Sequence, residues 1–151
     1  MIRIGESKDL PDIVRMCGDF WESTVYKAEH GIAHDPCTTE SFAQECINQG
    51  LLVVLEIDGS VCGFACGMKS FLLGNADVCT GSEVAWWVDP EHRGGKNGIG
   101  LLLKLEDLAR NSGIVFWSMM FMCSSMPDKI ESIYNKMGYF KNEVSYTKRL
   151  L

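Results

Sequence analysis

The sequence predicts an α/β fold of mixed (α+β) type, a single domain over residues 1–151 in which one mixed sheet is covered by helices. Three observations predict it. Short apolar runs bounded by turn residues alternate with amphipathic stretches of helical spacing, and no internal repeat, low-complexity tract or linker interrupts them. An Asp58-Gly59 pair between two apolar runs reads as a hairpin. The apolar run Val84-Ala85-Trp86-Trp87-Val88 leads into a glycine-rich loop and then an apolar helix, as at the carboxyl end of a strand in an α/β sheet. A chain of 151 residues is about one domain and buries a core without staples.

The elements follow in order. Ile2-Arg3-Ile4 is a short strand, and Ser7 is expected to cap a helix that runs past Pro11 with Leu10, Ile13, Val14 and Cys17 on one face, Gly18 marking an interruption. His30 to Cys37 is loop by composition, and Thr39 to Ile47 is a helix stopped at Gly50. Leu51 to Ile57 and Ser60 to Gly67 are the two hairpin strands, and a third strand covers Ser82 to Val88. A helix from Gly98 to Asn111 ends at Gly113, and Ile114 to Cys123 reads as a hydrophobic strand. Pro127 opens a helix with Ile130, Ile133, Tyr134 and Met137 on one face and Gly138 as its stop. Tyr139-Phe140 and Val144 to Lys148 are expected to add a last strand or hairpin.

Charge and cysteine usage narrow the function. Lys and Arg number 14 against 20 Asp and Glu, and the net charge of −6 argues against a nucleic-acid phosphate-backbone binder while suiting a cationic substrate. Seven cysteines lie scattered through apolar segments with no C-x-x-C spacing, and no secretory leader pattern follows Met1-Ile2-Arg3. Reduced thiols in the cytoplasm are the expectation. The longest apolar stretches fall short of the roughly 20 residues that span a bilayer, so no membrane anchor is expected.

The most informative stretch is Val88-Asp89-Pro90-Glu91-His92-Arg93-Gly94-Gly95-Lys96-Asn97-Gly98-Ile99-Gly100. Four glycines within seven residues let the backbone approach a ligand, Arg93 and Lys96 add positive charge, and the following helix offers unpaired N–H groups and its dipole to a phosphate. Two familiar phosphate loops do not match. Leu101 follows Gly100 where a P-loop needs lysine, and Gly98-Ile99-Gly100 leads to Leu103 where a dinucleotide fingerprint needs glycine.

This order of elements, with the loop in the middle, resembles the GNAT superfamily of acetyl-CoA-dependent N-acetyltransferases, in its phage and bacterial form, over nearly the entire chain. The family's [Q/R]-x-x-G-x-[G/A] after V-x-P is similar to Gly95-Lys96-Asn97-Gly98-Ile99-Gly100 after Val88-Asp89-Pro90; Gly95 takes the Gln/Arg position, and the nearest guanidinium is Arg93. Ile133-Tyr134-Asn135-Lys136-Met137-Gly138-Tyr139 resembles the family's L-Y-x-K-x-G-F, and Pro127 stands seven residues before Tyr134 where many members carry a cofactor-binding asparagine. The resemblance implies a mostly antiparallel, twisted sheet and acetyl-CoA as cosubstrate, held by Trp86, Val88, Arg93, Gly94, Gly95, Lys96, Asn97, Gly98 and Gly100. It also implies a primary-amine acceptor, on a small molecule or on a protein or peptide, and a homodimer as a family-based expectation.

Amide formation from a thioester needs a neutral amine, a stabilised oxyanion and a proton for the leaving thiolate. A lysine-type amine with a pKa near 10.4 is neutral in only about one molecule in a thousand at pH 7, so a base helps. The resemblance implies that the strand before the loop carries it, where Glu83 stands; the plainer reading is a strand end facing solvent. Tyr134 is implied as the acid that reprotonates the departing thiolate, while its place on an apolar stripe also fits a core tyrosine. Val88 and Trp86 offer backbone groups at the strand end, one an N–H for the thioester oxygen.

Other constellations carry less. His30, His34, Asp35 and Cys37 fall in a loop without the spacing of a metal site, and the loop is expected to border the acceptor pocket. No G-x-S-x-G elbow supports a serine hydrolase. Trp86-Trp87 reads as core and sheet cover, and Met119, Met120, Met122 and Met126 as packing residues. The competing function is a non-catalytic acyl-CoA-binding or partner-binding module of the same fold, which would not need Glu83 and Tyr134 together.

Overall fold

Asp58 and Gly59 both adopt positive φ, 51° and 81°, which gives the two-residue turn the twist that antiparallel strands need. Around this hairpin the computed structural model, which describes residues 1–123 and 127–151, builds a five-stranded sheet. Its strands are β1 (Ile2–Ile4), β2 (Leu52–Ile57), β3 (Ser60–Leu72), β4 (Asn75–Val88) and β5 (Phe116–Ser118), in that spatial order. The first four pair antiparallel and β5 joins β4 in parallel, so the sheet is mixed and mostly antiparallel. The chain divides into two compact units, Met1–Met120 with this sheet and Phe121–Leu151.

Helices cover both faces of the sheet in the first unit. Helix α1 (Leu10–Glu22) and α3 (Pro36–Asn48), with the single turn α2 (Val25–Ala28) between them, contribute Leu10, Ile13, Met16, Ala43 and Cys46 to a core with Leu52, Val54, Val61, Phe64 and Cys66. Residues alternate across a strand, so Val53 and Leu55 face the other side, where α4 (Asn97–Asn111) brings Leu101, Leu102, Leu105 and Ala109. Burial on both faces explains why Leu51 to Leu55 is apolar without a break. Helix α4 sits close on β1: a Cβ on Gly100 would lie 2.7 Å from Ile2 Cδ1.

Several expectations are corrected. Ser7 does not cap α1; it lies in a 3₁₀ turn, Ser7–Asp9, where the Asp9 carboxylate accepts the Glu6 N–H at 2.8 Å and both Arg3 terminal nitrogens. Gly18 does not interrupt α1, which runs unbroken from Leu10 to Glu22, and a Cβ there would meet His34 Nδ1 at 3.4 Å, an ordinary contact. The third strand begins at Asn75, seven residues before the expected Ser82, because β3 and β4 extend as one hairpin through a turn at Gly74. Helix α3 begins at Pro36, where Asp35 takes the Cys37 N–H at 3.1 Å and the Thr38 hydroxyl at 2.6 Å.

The hydrophobic strand expected over Ile114 to Cys123 is only Phe116–Ser118. It pairs with Thr80, Gly81 and Ser82, and the ladder stops there, one residue before a bulge in β4. Met120 is 57% exposed rather than a packing residue, while Met119 accepts the Trp117 indole N–H at 3.1 Å. Met126, also expected in packing, lies outside the described residues.

In the second unit α5 (Pro127–Lys136) ends at Gly138, whose φ is 90°. The last strand or hairpin expected from Tyr139 onward is absent: residues 139–151 form no ladder, and Phe140, Val144, Tyr146 and Leu150 are exposed. Alternating apolar residues become a strand only when a neighbouring backbone completes the hydrogen bonds. No helix among the described residues is long and apolar enough to cross a membrane, and all seven cysteines are free thiols.

Candidate active site

Two backbone irregularities shape the end of β4. Cys66 pairs with Ala85 while Gly67 pairs with Glu83, so Val84 is the extra residue of a bulge. Beyond it β5 no longer pairs with β4. The Asp89 N–H donates to the Cys62 carbonyl at 2.8 Å, and antiparallel alternation then turns the backbone groups of Trp87 toward β3 and those of Trp86 and Val88 away from it. Among the described residues no strand lies along that outer edge, and the Val88 carbonyl on it accepts Arg93 Nε at 2.7 Å.

Glu83 is buried at the bulge, 5% exposed, which rules out a solvent-facing strand end. Burial pushes its carboxyl up to about 7, against the weaker effect of the Met120 N–H, which donates to Oε2 at 3.4 Å. A carboxyl held there changes protonation near neutrality, as an acid–base group at pH 7 must.

The loop after β4 is tied down at both ends. Asp89 is buried and accepts Arg15 Nη2 at 2.8 Å, Arg15 Nη1 at 3.2 Å and the Trp87 indole at 3.1 Å. Arg93 lies over the Trp87 ring, its guanidinium carbon 4.3 Å from the centroid. Asn97 Nδ2 donates to the His92 carbonyl at 3.0 Å. Between these anchors Gly94 and Gly95 take φ of 94° and 60°, and a Cβ on either would meet nothing within 4 Å.

Helix α4 follows without a side-chain cap at Lys96, and the Gly100 N–H, bonded to the Lys96 carbonyl at 2.8 Å, shows where its ladder begins. The N–H groups before it have no acceptor of that kind. An open glycine turn, an uncapped helix start and the charges of Arg93 and Lys96 fit a phosphate-bearing group, and the open β4 edge beside them fits an amide-bearing chain. Gly98 has a second reason to be glycine: a Cβ there would lie 2.8 Å from Trp86 Cζ2.

The first unit thus brings together Glu83, Trp86, Val88 and the segment from Arg93 to Gly100. Tyr134 belongs to the second unit and is described by itself: it is 7% exposed, with its ring centroid 6.0 Å from that of Phe121 and 5.6 Å from that of Tyr139. The loop expected to border an acceptor pocket is held by its own bonds, Trp21 Nε1 to the Ile32 carbonyl at 2.8 Å and His34 Nε2 to the Thr39 hydroxyl at 2.7 Å. The sequence reading missed Arg15 and Asp89. The one available signal was a carboxylate directly after an apolar strand, which is too common to assign a partner 74 residues away.

Comparisons with known proteins bear on the family and the fold. The model of the acetyltransferase (GNAT) family matches residues 14–122. Among solved structures, glucosamine-6-phosphate N-acetyltransferase from Arabidopsis thaliana is similar at 17% identity and a TM-score of 0.72, over 99% of this chain and 97% of that one. A predicted acetyltransferase from Clostridium acetobutylicum, solved with acetyl-CoA, has 16% identity and a TM-score of 0.72 over 99% and 95% of the two chains. Ribosomal-protein-alanine N-acetyltransferase from Brucella melitensis biovar Abortus 2308 has 14% identity and a TM-score of 0.70, over 99% of each chain. No curated protein sequence matches.

Proposed function

Because the chain belongs to the GNAT family of acetyltransferases, we propose that it moves an acetyl group from acetyl-CoA to a primary amine by direct attack, as one functional domain over residues 1–151. Acetyl-CoA supplies the acetyl group as an activated thioester. The N–H groups at the start of α4, with Gly94, Gly95, Lys96, Asn97, Gly98 and Gly100 shaping the cradle and Arg93 and Lys96 adding charge, hold its phosphates. The outward backbone groups of Trp86 and Val88 align the chain that follows, and an N–H on this edge meets the thioester oxygen.

Glu83 takes a proton from the acceptor ammonium, directly or through a water, so that the neutral amine attacks the thioester carbonyl; the C–S bond then breaks as the nitrogen releases its second proton to solvent, and Tyr134 gives a proton to the departing thiolate. The observation that carries this reading is Glu83, a carboxyl buried at the β4 bulge with its pKa raised to about 7, on the strand that leads into the loop. The acceptor class is a small-molecule amine or a protein or peptide amine. A net charge of −6 supports a cationic one. The proposed setting is the cytoplasm, where seven free thiols persist, and the assembly a homodimer on family grounds.

The test is calorimetric titration with acetyl-CoA followed by a mass-spectrometric screen of an amine library for a gain of one acetyl group. Binding with turnover of at least one amine is expected. Binding without turnover of any amine would favour the non-catalytic acyl-CoA-binding module, and absence of binding would reject both.

A further inference from the structure

Among the described residues one buried side-chain donor has no hydrogen-bond partner, the indole Nε1 of Trp86. The other three tryptophans each place theirs: Trp21 on the Ile32 carbonyl, Trp87 on Asp89 and Trp117 on Met119. Burying an N–H without an acceptor is destabilising, and phenylalanine would fill an apolar gap without that cost. The position of the orphan gives it meaning. The Cβ site of Gly98 is 2.8 Å from Trp86 Cζ2 and 3.6 Å from Nε1, so the nitrogen edge of the ring lies against the first turn of α4. The free backbone donors of the helix start lie in that same turn.

An indole is a donor only, so its missing partner is an acceptor, and the ligand chemistry of this loop is anionic. Gly94 and Gly95, with positive φ and open space around them, keep the turn that precedes α4 free of side chains where an anion would approach.

We propose that the Trp86 indole N–H is a positioning donor for the phosphates of the acyl donor, without a partner in the free protein and bonded to a phosphate oxygen when the ligand seats on the first turn of α4. The proposal rests on the functional reading above and adds to it a side-chain contact peculiar to a tryptophan at this strand position. A charge-assisted bond of this kind, lost to phenylalanine, weakens binding by about tenfold or more.

The experiment follows the four indole N–H signals of the ¹⁵N-labelled full chain by NMR during titration with coenzyme A, with affinity measured in parallel by calorimetry. The Trp86 signal is the one missing in Trp86→Phe or, should that variant not fold, the one left after Trp21→Phe, Trp87→Phe and Trp117→Phe in turn. A downfield shift of the Trp86 proton on binding is expected, with at least tenfold weaker coenzyme A affinity in Trp86→Phe where it folds. Wild-type binding with the Trp86 signal unmoved overturns this inference and leaves the functional reading standing. Failure of the wild-type chain to bind coenzyme A overturns both.

Discussion

Arg15 on α1 and Asp89 at the end of β4 form a two-point ion pair, Nη2 to Oδ2 at 2.8 Å and Nη1 to Oδ1 at 3.2 Å, across 74 residues of sequence. It ties the first long helix to the residue that opens the glycine loop. Burial alone would raise the Asp89 carboxyl, but the bonds from Arg15 and Trp87 hold it below its ordinary value. A carboxylate of this kind stabilises the fold above its unfolded pKa, and that contribution disappears as pH falls through the folded value. Arg15→Ala removes the largest influence that lowers the Asp89 carboxyl, so below the ordinary carboxylate value its stability should fall less steeply with acid than the wild type's, the two curves converging as Asp89 is protonated. With the Arg15 side chain 45% exposed, the loss at neutral pH should be only about 1 kcal/mol, measurable by urea denaturation.

Glu83 has the opposite sign. Its folded pKa, about 7, lies above the ordinary carboxyl value of 4.5, so stability falls as pH rises between the two. Glu83→Gln should abolish that slope in denaturation midpoints measured across the interval. In kinetics the wild-type rate should rise through about pH 7 as the carboxylate forms, and the Gln variant should lose this limb, the difference fading at high pH where free amine is abundant. Identical pH profiles for the two proteins would remove Glu83 from the role of base.

Tyr134→Phe keeps the ring that packs against Phe121 and Tyr139 and removes only the hydroxyl. The expected result is a fall in kcat of roughly 10²- to 10⁴-fold with acetyl-CoA affinity unchanged. Full turnover with a true acceptor would leave Tyr134 as a packing residue.

Gly98 and Gly100 should separate in their tolerance of alanine. At Gly98 the new methyl meets a wedged indole ring and should cost about 1–3 kcal/mol with weaker acetyl-CoA binding, whereas at Gly100 it meets only the mobile tip of Ile2 and gains helix propensity, for a net change below about 1 kcal/mol. Thermal or chemical denaturation reads the difference. Equal effects would mean that Trp86 yields as easily as Ile2.

Arg93→Lys tests what the guanidinium does in the loop. Nε is spent on the Val88 carbonyl while the guanidinium lies over Trp87, a pair of contacts that a single ammonium cannot hold together in this geometry. The lysine variant should therefore bind acetyl-CoA more weakly than the wild type although its charge is intact. Unchanged affinity in calorimetry would reduce Arg93 to a point charge.

By itself the sequence determined whatever depends on neighbouring residues. Asp58-Gly59 specifies a turn that needs two positive φ values, Pro127 opens a helix, Gly113 and Gly138 are helix stops, and the glycine loop falls between an apolar strand and an apolar helix at the carboxyl end of β4. Only the tertiary structure decided what depends on distant partners. Glu83 became a buried carboxyl because the bulge at Val84 and the arrival of Met120 enclose it, and Arg15 found Asp89 because α1 crosses the sheet end. The apolar run after Ile114 kept just three strand residues because β4 offered it a ladder only from Thr80 to Ser82, and the alternating residues after Tyr139 formed none. Turn and cap chemistry is written into adjacent residues, whereas strand pairing, desolvation and ion pairs exist only once the chain has brought remote groups together.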